Sequence, residues 1–80
     1  MDTRTAVTKR IEELCSERSI TINGLSYMSG VANSTIQGIF YERSQNPGVV
    51  TIKKLCDGFE ISLREFFNSP LFDDLEQEIQ

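Results

Sequence analysis

Gly30 divides the middle of this 80-residue chain into two short stretches, and no other feature constrains the fold as much. Before it, Thr21 is placed to cap a helix running to about Ser29, with Leu25 and Met28 expected to point inward. After it, residues 32–41 read as a helix whose Ile36 and Ile39 turn inward and whose Asn33, Ser34 and Gln37 face out. A glycine between them supplies the positive φ that ends one helix and turns the chain sharply. Two short helices joined this tightly pack at a steep angle and leave the second projecting from the surface. Close approach needs a small residue, for which Ser26 is suited. The apolar anchors on either side are Leu25, Val31, Ile36 and Ile39.

The flanking sequence is helical throughout. From Thr3 to Arg18, Ala6, Val7, Ile11, Leu14 and Cys15 recur at three- and four-residue spacing, one face of an amphipathic helix. Arg4, Lys9 and Arg10 fall at its beginning and on its polar side. Residues 44–48, Ser-Gln-Asn-Pro-Gly, form a loop. A fourth helix, about Val49 to Cys56, is expected to carry Val50, Ile52, Leu55 and Cys56 inward and to close near Gly58. The capping box Ser62-Leu63-Arg64-Glu65 opens a fifth helix through Phe67. Ser69-Pro70 then signals a last helix, with Asp73 and Asp74 near its N-terminus and Leu71, Phe72, Leu75 and Ile79 as its apolar stripe. No strand-like alternation occurs. The reading is an all-α domain, a compact bundle of five to six short helices, with residues 1–69 as its body and 70–80 as an acidic amphipathic C-terminal helix.

Eighty residues suit one small domain, and 39% hydrophobic with 25% charged residues is an ordinary soluble composition. No apolar run approaches a membrane span, and the N-terminus MDTRTAVTKR lacks the core of a secretory signal, so the expected compartment is the cytoplasm. Cys15 and Cys56 sit on apolar helix faces and read as small buried hydrophobes. Without histidine or a CxxC spacing, neither a metal site nor a cofactor is indicated. Carboxylates such as Asp57 and Glu60 are present, but no nucleophile–base arrangement accompanies them, so an enzyme is not expected. The net charge of −4 is unevenly spread: residues 1–69 are balanced, and the excess lies in Asp73, Asp74, Glu76 and Glu78.

The stretch "LSYMSGVANSTIQGIF", followed by "RSQNPGVVTIKKLCDGFEISLREFF", resembles the phage repressor/Cro (XRE-like) type of helix-turn-helix DNA-binding domain. Together these cover residues 25–67, and the preceding helix occupies the place of the family's first helix. The resemblance implies a lambda-repressor-like fold and a recognition helix, residues 32–41, in the major groove of double-stranded DNA. By position Asn33, Ser34, Gln37 and Gly38 would then face base edges. Asn33 and Gln37 suit bidentate pairing with adenine, Ser34 suits a base or phosphate, and Gly38 only permits close approach. Each of these polar residues is equally compatible with solvated surface. Phosphate contacts are implied for Thr21, Tyr41, Arg43, Ser44, Gln45 and Asn46. Lys53 and Lys54 decorate the outer face of the fourth helix, while Arg4, Lys9 and Arg10 either reach the DNA backbone or balance Glu12 and Glu13.

The sequence departs from the family pattern at three points. Ala32 stands where Ser or Thr usually caps the recognition helix, which removes about 1 kcal/mol. Glu42 replaces a common helix-ending glycine, and no Arg or Lys lies on this helix before Arg43. The last point favours A·T-rich readout or weak binding. With about 3–5 phosphate neutralisations per copy, a lone domain should bind weakly, so a homodimer on an inverted repeat is expected. Phe67, Leu71, Phe72, Leu75 and Ile79 are the dimerisation candidates; the alternative is that they cover the domain's own core. The expected function is a sequence-specific transcriptional regulator, a repressor with no small-molecule effector. The alternative is a protein-interaction module that has kept the fold and lost DNA binding.

Overall fold

The computed structural model describes residues 1–41 and 46–79. Five α-helices follow one another: α1 (Thr3–Arg18), α2 (Ile22–Ser29), α3 (Asn33–Phe40), α4 (Val49–Phe59) and α5 (Leu63–Phe67). A single 3-10 turn, Pro70–Phe72, comes after them, and no strand occurs among the described residues. The architecture is the all-α bundle expected from the spacing of apolar residues.

Local chemistry accounts for most boundaries. Asp2 caps α1, its Oδ1 accepting from the Thr5 N–H at 2.8 Å. The Thr5 hydroxyl and N–H together hold the Asp2 carboxyl below the usual carboxylate range. Thr21 caps α2 as its sequence position implied, accepting from the Gly24 N–H at 3.0 Å. Ser62 does the same for α5 through the Glu65 N–H, also at 3.0 Å. α1 and α4 end on residues in the left-handed region, Ser19 at φ 54° and Glu60 at φ 60°.

Val7, Ile11, Leu14, Leu25, Ile36, Ile52, Leu55, Phe59 and Phe66 form one continuous core from all five helices. Cys15 and Cys56 belong to it as free, buried thiols, and desolvation pushes both above the ordinary thiol range. They serve as small hydrophobes, in line with their place on apolar faces.

Two inward assignments are corrected. Val50 is 65% exposed and Met28 49% exposed. The inward stripe of α4 is Ile52, Leu55, Cys56 and Phe59, and a residue two positions before Ile52 lies about 200° round the helix from it. On α2 the inward residue is Leu25, and it is Ser29 that meets α4. α4 ends at Phe59, close to Gly58 as expected; Gly58 itself is buried, and a Cβ there would stand 2.9 Å from Ser29 Cβ and 3.1 Å from its backbone. The missing side chain is what allows α2 and α4 to touch. Gly58→Ala should therefore cost up to about 2 kcal/mol net in urea unfolding. Overpacking against backbone (about 1–3 kcal/mol) exceeds the gain of about 1 kcal/mol in helix propensity. A stabilised variant would show that the two helices can separate freely.

Arg10, expected on the polar face, is buried. Its Nε donates to the Phe66 carbonyl at 2.6 Å and its Nη2 to the Glu65 carbonyl at 2.8 Å, while Nη1 pairs with Glu13. The guanidinium thus satisfies carbonyls in the last turn of α5.

In place of a last helix, the chain makes only the Pro70–Phe72 turn, capped by the Ser69 hydroxyl, and residues 73–79 are not helical. An isolated helix of this length is marginal, and Glu76 and Glu78 would crowd the negative end of its dipole. Packing holds the turn instead: the Phe72 ring meets Phe67 at 4.9 Å and Phe66 at 6.2 Å between centroids.

Candidate nucleic-acid interface

The turn between α2 and α3 is tied at several points. Gly30 adopts φ 73°, and its N–H reaches the Ser26 carbonyl at 3.0 Å. The Ser26 hydroxyl crosses the turn to the Val31 carbonyl at 2.7 Å, and the Val31 N–H donates to the Ser29 hydroxyl at 3.2 Å. Ser26 therefore acts at the turn through its hydroxyl, and a separate close approach, between α2 and α4, occurs at Ser29 and Gly58. Val31 is buried beneath the turn. Ala32 caps α3 with no side-chain bond, as its chemistry dictates.

α3 is anchored by Ile36 and Ile39, at most 1% exposed, with Phe40 half-buried beside them. No charged residue lies on it. Ser34 and Thr35 are exposed, and Asn33 and Gln37 are half-buried. The Asn33 Nδ2 donates to the Asn23 Oδ1 on α2, which ties the first side chain of α3 to the preceding helix. An amide NH2 has two hydrogens, so this bond still leaves one for another acceptor.

Gly38 is corrected: it is buried, not displayed. Without a side chain it ends at the helix backbone, about 2.3 Å from the axis, below the reach of its neighbours. Among the residues singled out for phosphate, Thr21 is exposed but its hydroxyl is engaged as the α2 cap, Tyr41 is 69% exposed at the end of α3, and Asn46 is exposed. Arg43, Ser44, Gln45 and Glu42 lie outside the described residues.

Among the described residues, cations are sparse around this face. Arg10 is occupied in the core, and Lys53 pairs with Asp57 along α4. Arg4 Nη1 donates to the Ile39 carbonyl at 3.0 Å and so joins the start of α1 to the last turn of α3. Lys9 and Lys54 are exposed. Of the dimerisation candidates, Phe67 is 39% and Ile79 79% exposed, while Leu71, Phe72 and Leu75 are half-buried. They do not form one stripe, because the segment is not a helix.

Asn23 and Thr35 escaped the sequence reading. Thr35 could have been found from the helical wheel of α3, which puts it outside the buried face. Asn23 could not, since its pairing with Asn33 depends on the crossing of α2 and α3.

The geometry is that of a helix-turn-helix unit presenting α3, and comparison with known proteins agrees. The family model of the Cro/C1-type HTH DNA-binding domain matches residues 10–70. No curated protein matches the chain. Among solved structures, the chain is similar to the one titled "Crystal structure of the prophage Lp1 protein 11". The two share 32% identity and a TM-score of 0.81 over 94% of this chain and 100% of the other. The chain belongs to the Cro/C1-type helix-turn-helix family of DNA-binding domains.

Proposed function

We propose that this protein is a transcriptional regulator that binds double-stranded DNA sequence-specifically and represses by occupancy, with α3 in the major groove. The observation that carries the reading is the outer face of α3: Asn33, Ser34, Thr35 and Gln37, uncharged hydrogen-bonding side chains on a helix held rigidly by the Gly30 turn. Asn33 and Gln37 read adenine, Ser34 a base or phosphate, and the phosphate contacts fall to Thr21, Tyr41, Arg43, Ser44, Gln45 and Asn46. Two copies read an inverted repeat, with recognition helices about 34 Å apart. The exposed Phe67 and Ile79 are the apolar residues best placed to serve the dimer. Similarity to a prophage protein supports a phage-type regulator.

The test is selection from a random duplex pool at low salt. An enriched inverted repeat is expected, and Asn33→Ala or Gln37→Ala should each erase roughly 5- to 150-fold of discrimination at one base pair, the equivalent of about 1–3 kcal/mol. Retention that is blind to sequence and vanishes near physiological salt overturns base reading. That outcome would favour the second reading, a protein-interaction module. The absence of Lys and Arg from α3 supports that alternative, as does Tyr27, a 91% exposed aromatic on α2.

A further inference from the structure

Residues 73–79 carry the chain's whole excess negative charge, and they fold back along the start of α1. The Glu76 N–H donates to the Met1 carbonyl at 3.1 Å, the Glu76 carboxylate lies 3.5 Å from the terminal ammonium, and the Thr3 hydroxyl donates to Glu78 Oε2 at 2.9 Å. These contacts set Glu78 into a cleft of about 510 Å³ whose other walls include Arg4, Asn46 and Pro47. Through its bond to the Ile39 carbonyl, Arg4 joins this cleft to the last turn of α3. The acidic tail therefore shares a cleft with Asn46 and Pro47 and with Arg4, the residue bonded to the last turn of α3.

We propose that the docked tail is an electrostatic brake on DNA binding, with Glu76 and Glu78 opposing phosphates until the tail swings away. The inference rests on the DNA-binding reading above. All three contacts lie at the surface and involve exposed or half-exposed groups. Such contacts are individually weak and screened by salt, so the tail is held loosely enough to be displaced. Position matters as much as charge. Asp74 borders a second hollow, with Met1, Glu13, Ser69, Pro70 and Leu71, away from Arg4 and Asn46, so the adjacent pair Asp73 and Asp74 offers a control of equal charge outside the Glu78 cleft.

The experiment compares affinity for the selected duplex across a salt series for the full chain and three variants. Glu76→Gln/Glu78→Gln should bind about 10-fold tighter at about 50 mM salt, the gain falling below about 2-fold near 0.3 M. Asp73→Asn/Asp74→Asn should gain less than about 3-fold under the same conditions. Thr3→Val removes the hydroxyl that holds Glu78 without altering any charge, and should shift affinity in the same direction as the glutamate pair. Binding by a variant where the full chain retains no duplex is the strongest form of support. Equal gains from both acid pairs, or no gain from either, overturn the brake while leaving DNA binding intact. Failure of every protein to retain any duplex overturns both proposals together.

Discussion

Phe66→Ala is expected to lower stability by about 3–5 kcal/mol, the range for losing a fully buried aromatic ring. Phe66 is 0% exposed and sits where α5 closes on the rest of the core, with Phe67 edge-on at 5.0 Å and Phe72 at 6.2 Å. A domain of this length has roughly 4–12 kcal/mol in all, at about 0.05–0.15 kcal/mol per residue, so the variant should be largely unfolded at the lower end of that range. Phe66→Leu keeps most of the volume and should cost less than half as much. The measurement is urea unfolding followed by circular dichroism, with the midpoint read at unchanged slope. Its consequence reaches beyond α5, because Phe72 and the start of the tail are packed on the same ring. A loss below about 1 kcal/mol would mean that the core closes without the Phe66 ring.

Arg10→Met should cost about 2–4 kcal/mol by a different route. The methionine fills much of the same space, but the Phe66 carbonyl loses its charged donor and the Glu65 carbonyl keeps only the Asn68 N–H; an unsatisfied buried acceptor costs about 1–3 kcal/mol. Arg10→Lys should recover less than half of the loss, since an ammonium cannot reproduce two fixed donors aimed at neighbouring carbonyls. Full rescue by lysine would show that charge alone matters. Loss of the Glu13 pair, by Glu13→Gln, should be nearly silent, because the Glu13 side chain is 43% exposed. The contrast separates Arg10 the structural cap from Arg10 the surface ion.

Much of the interface was readable in one dimension. The Gly30 turn, the Thr21 and Ser62 caps, the inward Ile36 and Ile39 and the uncapped start of α3 at Ala32 all depend on residues within a few positions of each other. Short-range steric and hydrogen-bonding rules suffice for such features. Gly38 went astray because a helical wheel reports direction but not depth, and a residue with no side chain on an outward direction can still be covered. Val50 lies out of phase with the buried stripe of α4, which runs through Ile52, Leu55, Cys56 and Phe59.

The last helix shows the limit of local signals. Ser69 and Pro70 do start a turn, and the Ser69 hydroxyl caps it as proposed, yet the turn stops at Phe72. Phe72 is drawn onto Phe66 and Phe67, and the backbone beyond finds Met1, residues far away in sequence.

By itself the sequence determined an all-α chain, a Gly30 turn with an uncharged helix after it, and an acidic tail behind a neutral body. These follow from periodicity, from the φ that glycine allows and from side chains that cap their own helix. Only the tertiary structure decided that Arg10 is a core residue, that Gly58 meets Ser29, that Asn23 holds Asn33 and that Glu78 shares a cleft with Arg4 and Asn46. Periodicity tells which face of a helix is buried but not which helix covers it, and each of these contacts depends on how two elements cross.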